Sequence, residues 1–290
     1  MDSVRCKAFV AAVEEGSFTA AAKRMGYTPS GISQLVHALE EDLGFLLLTR
    51  MQKGVMPTAE GKRIFRAAKD FIEDEDKIYQ LAAEIQGLDI GTVRIATFNS
   101  IATNTLPALI RAFSDKYPNI KISLREGSKE QIAAMLADRR ADVGFATKLN
   151  DSYWWKEFKK DPIVAILPKD HPYADKDAFP IEQCAEEELI MSSLGNDIDV
   201  NDVLKEFHIE PHVVYTTLEN YTAINLVEQG LGISIMNRSI TQSWDCDVAI
   251  VPIVPRRDFE MGFTVPSLED APPAVQKFVR FVESRLCGEE

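Results

Sequence analysis

Single glycines divide the first 57 residues into three short helical patterns. Apolar residues recur at three- and four-residue spacing between Val4 and Val13, which predicts one buried face of a helix that ends at Gly16. Ser17 is placed to cap a second helix from Phe18 to Met25, because its hydroxyl can accept hydrogen bonds from the free amides of the first turn. The run Ala20 to Ala22 keeps this second helix thin, so another helix can approach it closely.

The third helical pattern has a capped start and a polar front. Thr28 can cap it, Pro29 is tolerated in its first turn, and the pattern runs to Leu43 before Gly44. Its outer face near the start carries short polar groups that can hydrogen-bond base edges or phosphates, and a glycine that permits close approach. These residues are Thr28, Ser30, Gly31, Ser33, Gln34 and His37.

A basic hairpin follows this helix. It is predicted from Leu46 to Arg50 and from Val55 to Pro57, around the turn Gln52-Lys53-Gly54. Short helix, tight turn, polar-fronted helix and hairpin together describe a winged helix-turn-helix, whose second motif helix enters the major groove while the wing reaches the backbone or minor groove. The alternative, a small helical protein-interaction domain, is less favoured by the complete series. The candidate DNA contacts are Ser17, Thr28, Ser30, Gly31, Ser33, Gln34, His37, Arg50 and Lys53.

Four motifs in this region resemble the LysR-type bacterial transcriptional regulators. Each motif alone would be weak, but their order over about sixty residues is specific. The motifs are Phe9 to Ala22, Thr28 to Ser33, Ala38 to Gly44 and Pro57 to Gly61. The resemblance implies a DNA-binding regulator. Many members of that family carry arginines where this chain has Gln34 and His37, so the attraction to the DNA backbone is expected to come from Arg5, Lys23, Arg24, Arg50 and Lys53.

The charge of the chain changes near residue 90. The 290 residues carry a net charge of -13, which for the whole chain argues against a nucleic-acid partner. Residues 1–66 hold nine basic and seven acidic residues, whereas residues 67–90 hold two and seven, and residues 91–290 hold 21 and 31. The acidity therefore lies outside the predicted DNA-binding domain. Gly87 and Gly91 bracket a break in the helical pattern, which predicts a domain boundary between them.

Residues 58–86 form a separate, long helical pattern. Thr58 can cap it, and Ile64, Phe71, Ile78 and Ile85 recur at seven-residue intervals, as in a short coiled coil. At 1.5 Å per residue this helix is roughly 42 Å long, and its apolar stripe exceeds what a lone exposed helix tolerates. The stripe could pack on the C-terminal domain of the same chain, but self-association is favoured, because a two-fold dimer presents two recognition helices to a near-palindromic site. The family resemblance implies the same pairing, and it also implies a tetramer.

Strand and helix patterns alternate from residue 91 onward. The first set, from Thr92 to Ala146, predicts a mainly parallel sheet with helices on both faces. A crossing strand is expected at Pro162 to Pro168, a second α/β set between Leu189 and Met236, and a return to the first lobe at Phe259 to Pro266. A closing helix follows from Pro273 to Leu286.

The chain is thus predicted to be an α/β protein of two domains. A mainly α winged helix-turn-helix covers residues 1–57, a linker and dimerisation helix 58–86, and a two-lobed effector-binding regulatory domain 91–290. Lobe I is expected at residues 91–161 and 267–290, and lobe II at residues 162–266.

Several motifs in the second domain resemble the effector domain of the same family, whose two-lobed fold is shared with periplasmic solute-binding proteins. They include Leu106-Pro107, Tyr117-Pro118, Ala141 to Gly144 and Gly230 to Ile233. In open α/β lobes, ligands bind beyond the carboxyl ends of strands, near helix N-termini. That rule selects a mostly neutral set suited to a small polar or anionic metabolite, although each hydroxyl alone is equally explained as a helix cap. The set is Asn99, Ser100, Thr103, Ser128, Thr147, Lys148, Ser192, Ser193 and Asn196.

Other functions are less well supported. No hydrolase, metalloprotease, phosphate-loop or dinucleotide motif is present, so an enzyme or solute-binding protein remains only the alternative, and no catalytic residue, cofactor or metal site is predicted. Cys184 and Cys246 could form a redox switch, as in some relatives, but inert thiols are favoured because basic neighbours are lacking. Trp154 and Trp155 could form an aromatic lid, with loop packing favoured.

The expected location is the cytoplasm. The apolar runs fall far short of a membrane span, charged residues interrupt the first helix where a signal peptide would be apolar, and the four cysteines show no paired spacing. The predicted partners are double-stranded DNA at a near-palindromic promoter site, a small-molecule effector and further copies of the chain. RNA polymerase is a further candidate partner, and no membrane is expected.

Overall fold

The chain folds as two units, Met1–Ile90 and Gly91–Glu290, in a computed structural model that describes residues 2–51, 54–192, 198–243 and 245–288. The first unit contains α1 (Ser3–Glu15), α2 (Phe18–Met25), α3 (Pro29–Leu43), β1 (Leu48–Met51), β2 (Gly54–Pro57) and α4 (Ala59–Ile85). The two strands pair antiparallel. The winged helix-turn-helix predicted from the sequence is confirmed.

The helices of the first unit begin and end at local signals in the sequence. Ser17, Thr28 and Thr58 each accept a hydrogen bond from a backbone amide in the first turn of α2, α3 and α4. Gly16 ends α1 with a φ of 62°, a left-handed conformation that glycine adopts without steric cost. The chain therefore turns sharply between α1 and α2, and the two helices can pack together.

The core of the first unit is small and continuous. Phe9, Ile32, Leu39 and Leu47 are fully buried in it, so α1, α3 and the hairpin share one apolar interior. The start of α4 joins the same core through Phe65, whose ring lies edge-on to Phe9 with centroids 6.3 Å apart. The winged helix-turn-helix and the first turns of α4 therefore share one packed core.

Polar contacts fix the hairpin to the helices. The Glu40 carboxylate of α3 accepts hydrogen bonds from the amides of Leu47 and Leu48, at 2.7 and 3.1 Å. On the other strand, the amide of Val55 donates to the carbonyl of Gly16, at 2.8 Å. Both strands are thus hydrogen-bonded to the helical part of the unit, which fixes the orientation of the wing.

The second unit has an alternating α/β order. Its elements are β3 (Gly91–Thr97), α5 (Asn99–Asn104), α6 (Leu106–Lys116), β4 (Ile120–Glu126), α7 (Lys129–Ala137), β5 (Val143–Ala146), β6 (Trp154–Pro168), β7 (Phe179–Pro180), β8 (Glu188–Met191), α8 (Ile198–Glu206), β9 (His212–Thr216), α9 (Asn220–Glu228), β10 (Ser234–Asn237), β11 (Val248–Val254), β12 (Asp258–Val265) and α10 (Pro273–Leu286). Two lobes are built from these elements, as expected.

The main sheet is mixed rather than mainly parallel. Its strand order is β4-β3-β5-β12-β6-β11-β7, with β10 also pairing with β6. The pairs β3–β4 and β3–β5 are parallel, whereas β12 runs antiparallel to both β5 and β6. The parallel pairing expected for the first set, Thr92 to Ala146, is therefore confirmed, but the complete sheet is not mainly parallel. The sheet becomes mixed because β12 enters lobe I from lobe II, without the crossover helix that a parallel strand would need.

The helices cover both faces of the lobe I sheet. Phe113 of α6 and Phe278 of α10 are fully buried on one face, with ring centroids 5.0 Å apart. On the other face, Ile132 and Leu136 of α7 pack against the sheet. Lobe II has a separate core, which includes Leu189, Leu204 and Ile253. Each lobe thus has its own apolar interior.

One strand, β6, runs through both lobes. Residues of its first half pair with β12, and residues from Ile163 onward pair with β10 and β11. Since Met261, Phe263 and Val265 of β12 lie in the lobe I core, the predicted end of lobe II at residue 266 is too late. The lobe II portion ends before Asp258, which agrees with the expected return of the chain at Phe259.

The two tryptophans lie on β6 and not on a loop. Trp154 and Trp155 pair in register with Val265 and Thr264 of β12, so both the lid and the loop interpretation are wrong. The Trp155 ring covers Gly262, where any Cβ atom would clash with the indole. The spacing alone did not reveal this strand because its exposed half is rich in charged residues.

We expect Gly61→Ala to destabilise the DNA-binding unit. A Cβ atom at this position of α4 would collide with the backbone carbonyl of Leu47, which cannot move aside as a side chain could. The predicted loss is about 1–3 kcal/mol in the free energy of unfolding, measured by urea denaturation of the full chain. Lys62→Ala, at the exposed neighbouring position, should change this free energy by less than about 0.5 kcal/mol. Equal stabilities of the two variants would contradict the close approach.

Candidate functional site

The first half of α3 presents an exposed polar surface. Ser30, Gln34 and His37 are exposed, while Gly31 and Ser33 are half-buried. The Thr28 hydroxyl accepts a hydrogen bond from the amide of Gly31, at 3.1 Å, and the Ser17 hydroxyl caps α2 in the same manner. The hydroxyls of Thr28 and Ser17 therefore cap helices. The exposed side chains of Ser30, Gln34 and His37 form the polar surface that is available to a partner.

A hydrogen bond connects the wing to this surface. The Arg50 guanidinium of β1 donates to the Ser33 hydroxyl, at 2.9 Å, and its carbon lies 5.7 Å from the centre of the Phe18 ring. Arg50 is exposed, so its charge is held beside the polar front of α3 and open to solvent. Lys53, the other basic residue predicted for the wing, lies outside the described residues.

Two of the basic residues expected to attract DNA are engaged within their own domain. Arg5 lies 2.7 Å from a carboxylate oxygen of Asp42, and Arg24 lies 2.7 Å from one of Glu14. These carboxylates neutralise much of the positive charge of the two arginines, so Arg5 and Arg24 are weaker candidates for phosphate contacts than expected. Arg50 makes no ion pair with any residue in the described part of the chain, so its positive charge is not neutralised there.

The apolar stripe of α4 divides into a buried start and an exposed end. Ile64 is half-buried against the core of its own unit, so less of its side chain is available for the predicted dimer contact. Phe71, Ile78 and Ile85 are exposed, with fractions of 39, 66 and 88%. Glu75, which interrupts this stripe, accepts hydrogen bonds from Lys7 and Ser3, both at 2.7 Å. The Lys7 hydrogen bond, followed by that from Ser3, lowers the pKa of Glu75.

Several predicted cleft residues of the second unit are committed to local hydrogen bonds. Asn99 donates to Glu126, at 2.7 Å, and the Thr103 hydroxyl donates back to the carbonyl of Asn99, at 2.9 Å. Ser128 caps α7 in a reciprocal arrangement with Gln131. For these residues the capping or local role, which the sequence left open, is the one observed.

The remaining predicted cleft residues differ in burial and in hydrogen bonding. Ser100 and Ser192 are buried, and their hydroxyls make no hydrogen bond to any described residue. Lys148 is exposed and pairs with Asp151, at 2.7 Å. Thr147 is buried, and its hydroxyl donates to the Asp199 carboxylate of lobe II. Ser193 and Asn196 lie outside the described residues.

A carboxylate from lobe II bridges to lobe I. Asp199 of α8 accepts a hydrogen bond from the Lys129 ammonium of α7, at 2.7 Å, and one from the Thr147 hydroxyl after β5, at 2.9 Å. Neither Lys129 nor Asp199 was selected from the sequence. Lys129 directly follows Ser128, and its position in the first turn of α7 could have identified it. Asp199 lies 70 residues further along the chain, and no local pattern marks it.

Two further polar groups near the lobe II strands were also missed. The side-chain carbonyl oxygen of Asn220, in the first turn of α9, is buried without a hydrogen-bond partner in the described structure. Thr217, just beyond the carboxyl end of β9, is buried as well. Because β8 and β9 are parallel, the ends that carry Ser192 and Thr217 lie at the same edge. The strand-end rule that selected Ser192 could therefore have selected Thr217 as well.

A buried hydrogen-bond network lies at the junction of the lobes. Asp161 of β6 is 1% exposed, and it accepts hydrogen bonds from the Asn237 side chain, at 2.6 Å, and from the amide and hydroxyl of Ser239. Asn104 of α5 donates to the carbonyl of Ser239, at 2.8 Å. The network connects lobe I, the crossing strand and lobe II, so it fixes the local geometry of the junction.

Comparisons with known proteins agree with this architecture. Residues 4–62 match the family model for the bacterial regulatory helix-turn-helix protein of the lysR family, and residues 86–287 match the LysR substrate binding domain. The chain belongs to the LysR family of bacterial transcriptional regulators. It is a DNA-binding regulator with an effector-binding domain, and the enzyme and solute-binding alternatives are not favoured.

Individual relatives match this LysR-family regulator over nearly its whole length. YoaU of Bacillus subtilis, an uncharacterised HTH-type transcriptional regulator, is 30% identical over 95% of this chain and 96% of its own. YvbU of the same organism, similarly described, is 28% identical over the full length of both. The crystal structure of full-length CbnR complexed with its target DNA covers 98% of this chain and 99% of its own, with a TM-score of 0.67 and 24% identity, which supports the fold.

Neither a metal site nor a disulfide is present in the described part of this LysR-family regulator. The described residues contain no group of three or more histidine, cysteine or acidic side chains that could hold a metal ion. None of the four cysteines is in a disulfide within the described structure, and Cys184 and Cys246 lie against different apolar clusters of lobe II. Among the same residues, no helix combines the length and apolar character needed to cross a membrane.

We expect Cys184 to be the least reactive of the thiols in lobe II. Burial, reinforced by the charge of Glu187, raises the pKa of the Cys184 thiol to about 12 from an ordinary value of 9.0. At pH 8 the reactive thiolate is then only about one molecule in ten thousand. With a disulfide reagent at pH 8, Cys246 should react at least about 100-fold faster than Cys184, and both should react at similar rates in denaturant. Formation of a Cys184–Cys246 disulfide in the folded protein would contradict this prediction.

Proposed function

We propose that this LysR-family regulator binds a near-palindromic promoter site as a dimer, with α3 in the major groove and the wing beside it. The observation that carries this proposal is the Ser33–Arg50 hydrogen bond, which places a basic wing residue directly beside the polar front of the recognition helix. Ser30, Gln34 and His37 are exposed and short enough to meet base edges. Arg50 and Lys53 supply charge for the DNA backbone.

The dimer contact in this proposal lies along the exposed part of α4. Phe71, Ile78 and Ile85 follow at seven-residue intervals, which places them on one stripe of the helix. A second copy would cover these side chains, and the two-fold symmetry of such a pair would present two α3 helices to two half-sites. A tetramer, which the family resemblance implies, would require further contacts between effector domains.

The effector in this proposal is a small polar or anionic metabolite that binds between the lobes. Ser100 and Ser192 support it, because each is buried at a strand end of one lobe and neither hydroxyl is hydrogen-bonded within the described chain. Lys129, Thr147 and Asn220 add a positive charge and further polar groups near the same strand ends. The effector would act through its different affinities for two arrangements of the oligomer.

The same proposal assigns regulation and not catalysis to the chain. Its setting is the cytoplasm, where promoter DNA is available, and RNA polymerase is the partner through which a bound regulator would alter transcription. Support comes from the family to which both domains belong and from the polar surface of α3.

We expect the double variant Ser33→Ala with Gln34→Ala to lose DNA selectivity. Hydrogen bonds to base edges contribute about 1–3 kcal/mol of discrimination per good contact, so binding to a site selected in vitro by the wild-type protein should weaken by that order. Binding to a shuffled sequence should change little. Lys53→Ala is the matched control, and it should weaken both DNAs alike. Equal losses of the double variant on both DNAs, in fluorescence anisotropy titrations, would contradict the assignment.

We expect Ile78→Glu to separate the dimer. A carboxylate placed on a stripe that a second copy covers would be desolvated without a partner, so the sedimentation coefficient at micromolar concentration should fall to that of a smaller species. Since Ile78 is 66% exposed in the single chain, its replacement should leave the fold and the circular dichroism spectrum unchanged. Asp74→Ala, an exposed change on the same helix, should sediment as the wild type does. An unaltered sedimentation coefficient of Ile78→Glu would exclude the stripe as the contact.

A further inference from the structure

The Asp199 carboxylate joins the two lobes of the second unit. It belongs to α8 of lobe II, yet both of its oxygens are bound by lobe I: one by the Lys129 ammonium, at 2.7 Å, and one by the Thr147 hydroxyl, at 2.9 Å. The side chains of Lys129 and Asp199 are only 25 and 15% exposed, so this ion pair is largely removed from water. Its Coulomb attraction is therefore less screened by solvent than that of the exposed ion pairs on the surface.

The two lobe I donors form a site for an oxyanion. An ammonium and a hydroxyl that converge on the two oxygens of one carboxylate are donors that a free carboxylate or a sulfate-like group can also accept from. Lys148, the other lysine of this region, points its charge to Asp151 at an exposed position. Among the described residues of the cleft, Lys129 is thus the ammonium that an entering anion would meet, and it is occupied.

A free anion and the Asp199 carboxylate cannot use these donors at the same time. Both oxygens of Asp199 are engaged, so an entering anion would find the donors taken and would be repelled by the negative charge already present. Its binding therefore requires that Asp199 leave. Departure of Asp199 breaks a direct polar connection between α8 and lobe I, which changes how the lobes are held together.

We propose that Asp199 is a built-in ligand of the cleft, and that the effector is an oxyanion that displaces it from Lys129 and Thr147. Without effector, Asp199 ties lobe II to lobe I. With effector bound, α8 is released from that contact, and the domain moves to its second arrangement. The inference rests on the proposed function in taking the cleft as the effector site, and it adds the chemical class of the effector and the contact that the effector must break. The apparent affinity of the effector is lowered by the fraction of molecules in which Asp199 holds the site.

The experiment measures binding of inorganic sulfate to the full-length protein by isothermal titration calorimetry. Asp199→Asn keeps the shape of the side chain but removes the competing charge, so we expect sulfate to bind at least about tenfold more tightly than to the wild type. Lys129→Met in the Asp199→Asn background should abolish the gain. Asp202→Asn is the matched control, because Asp202 lies on the same helix, is 65% exposed and forms an ion pair with Lys205 of that helix, at 3.8 Å. It should bind sulfate as the wild type does.

Hydrogen exchange provides a second readout that does not depend on any ligand. In the absence of sulfate, Asp199→Asn should raise the exchange of α8 amides relative to the wild type and to Asp202→Asn, because the tie to lobe I is lost. Sulfate should raise the exchange of the same amides in the wild type at high concentration. Asp199→Glu, which keeps the charge, should resemble the wild type in both measurements.

Two results would overturn the proposal. One is sulfate affinity of Asp199→Asn equal to or below that of the wild type, since Asp199 would then not compete for the site. The other is a gain in affinity that survives Lys129→Met, since the anion would then bind elsewhere. Neither measurement involves DNA. Equal losses of the Ser33 and Gln34 double variant on both DNAs would therefore count against the proposed regulator function and leave this inference standing.

Discussion

The continuity of β6 through both lobes is the constraint on which the effector domain depends. The strand pairs with β12 on one side of the junction and with β10 and β11 on the other, so any change in the angle between the lobes must be absorbed close to Asp161. At this point the buried carboxylate is saturated by donors from Asn237 and Ser239. Such a network resists distortion, because each of its buried groups would lose its partner if the strand moved alone.

With the junction fixed in this way, contacts across the cleft decide how the lobes are held. The Asp199 bridge to Lys129 and Thr147 is such a contact, and it lies where the strand-end rule places a ligand. Because the Asp199 carboxylate competes for these donors, anions that bind only weakly do not displace it. Only a ligand that recovers the lost interaction through further contacts, for example with Ser100 or Ser192, would shift the equilibrium.

The DNA-binding unit shows a related division of its polar residues. Ser17 and Thr28 are residue types that commonly contact DNA, but their hydroxyls cap helices here. Arg5 and Arg24 are paired with carboxylates. The charge left for DNA is accordingly small for the domain. Specific contacts from α3 and the pairing of two half-sites through α4 therefore have to contribute a larger share of the binding free energy than in an arginine-rich domain.

The sequence by itself determined the elements whose signals are local. Helix caps at Ser17, Thr28 and Thr58, and the apolar spacing within each helix, act over a few residues, and the observed α2 and α3 have the predicted bounds. Only the tertiary structure decided which polar groups remain available, because their partners lie far away in the chain. The bond from Arg50 to Ser33 and the bridge from Asp199 to Lys129 join residues 17 and 70 positions apart. The mixed sheet has the same origin: the direction in which β12 enters lobe I is set by packing against β5 and β6, and no pattern within β12 encodes it.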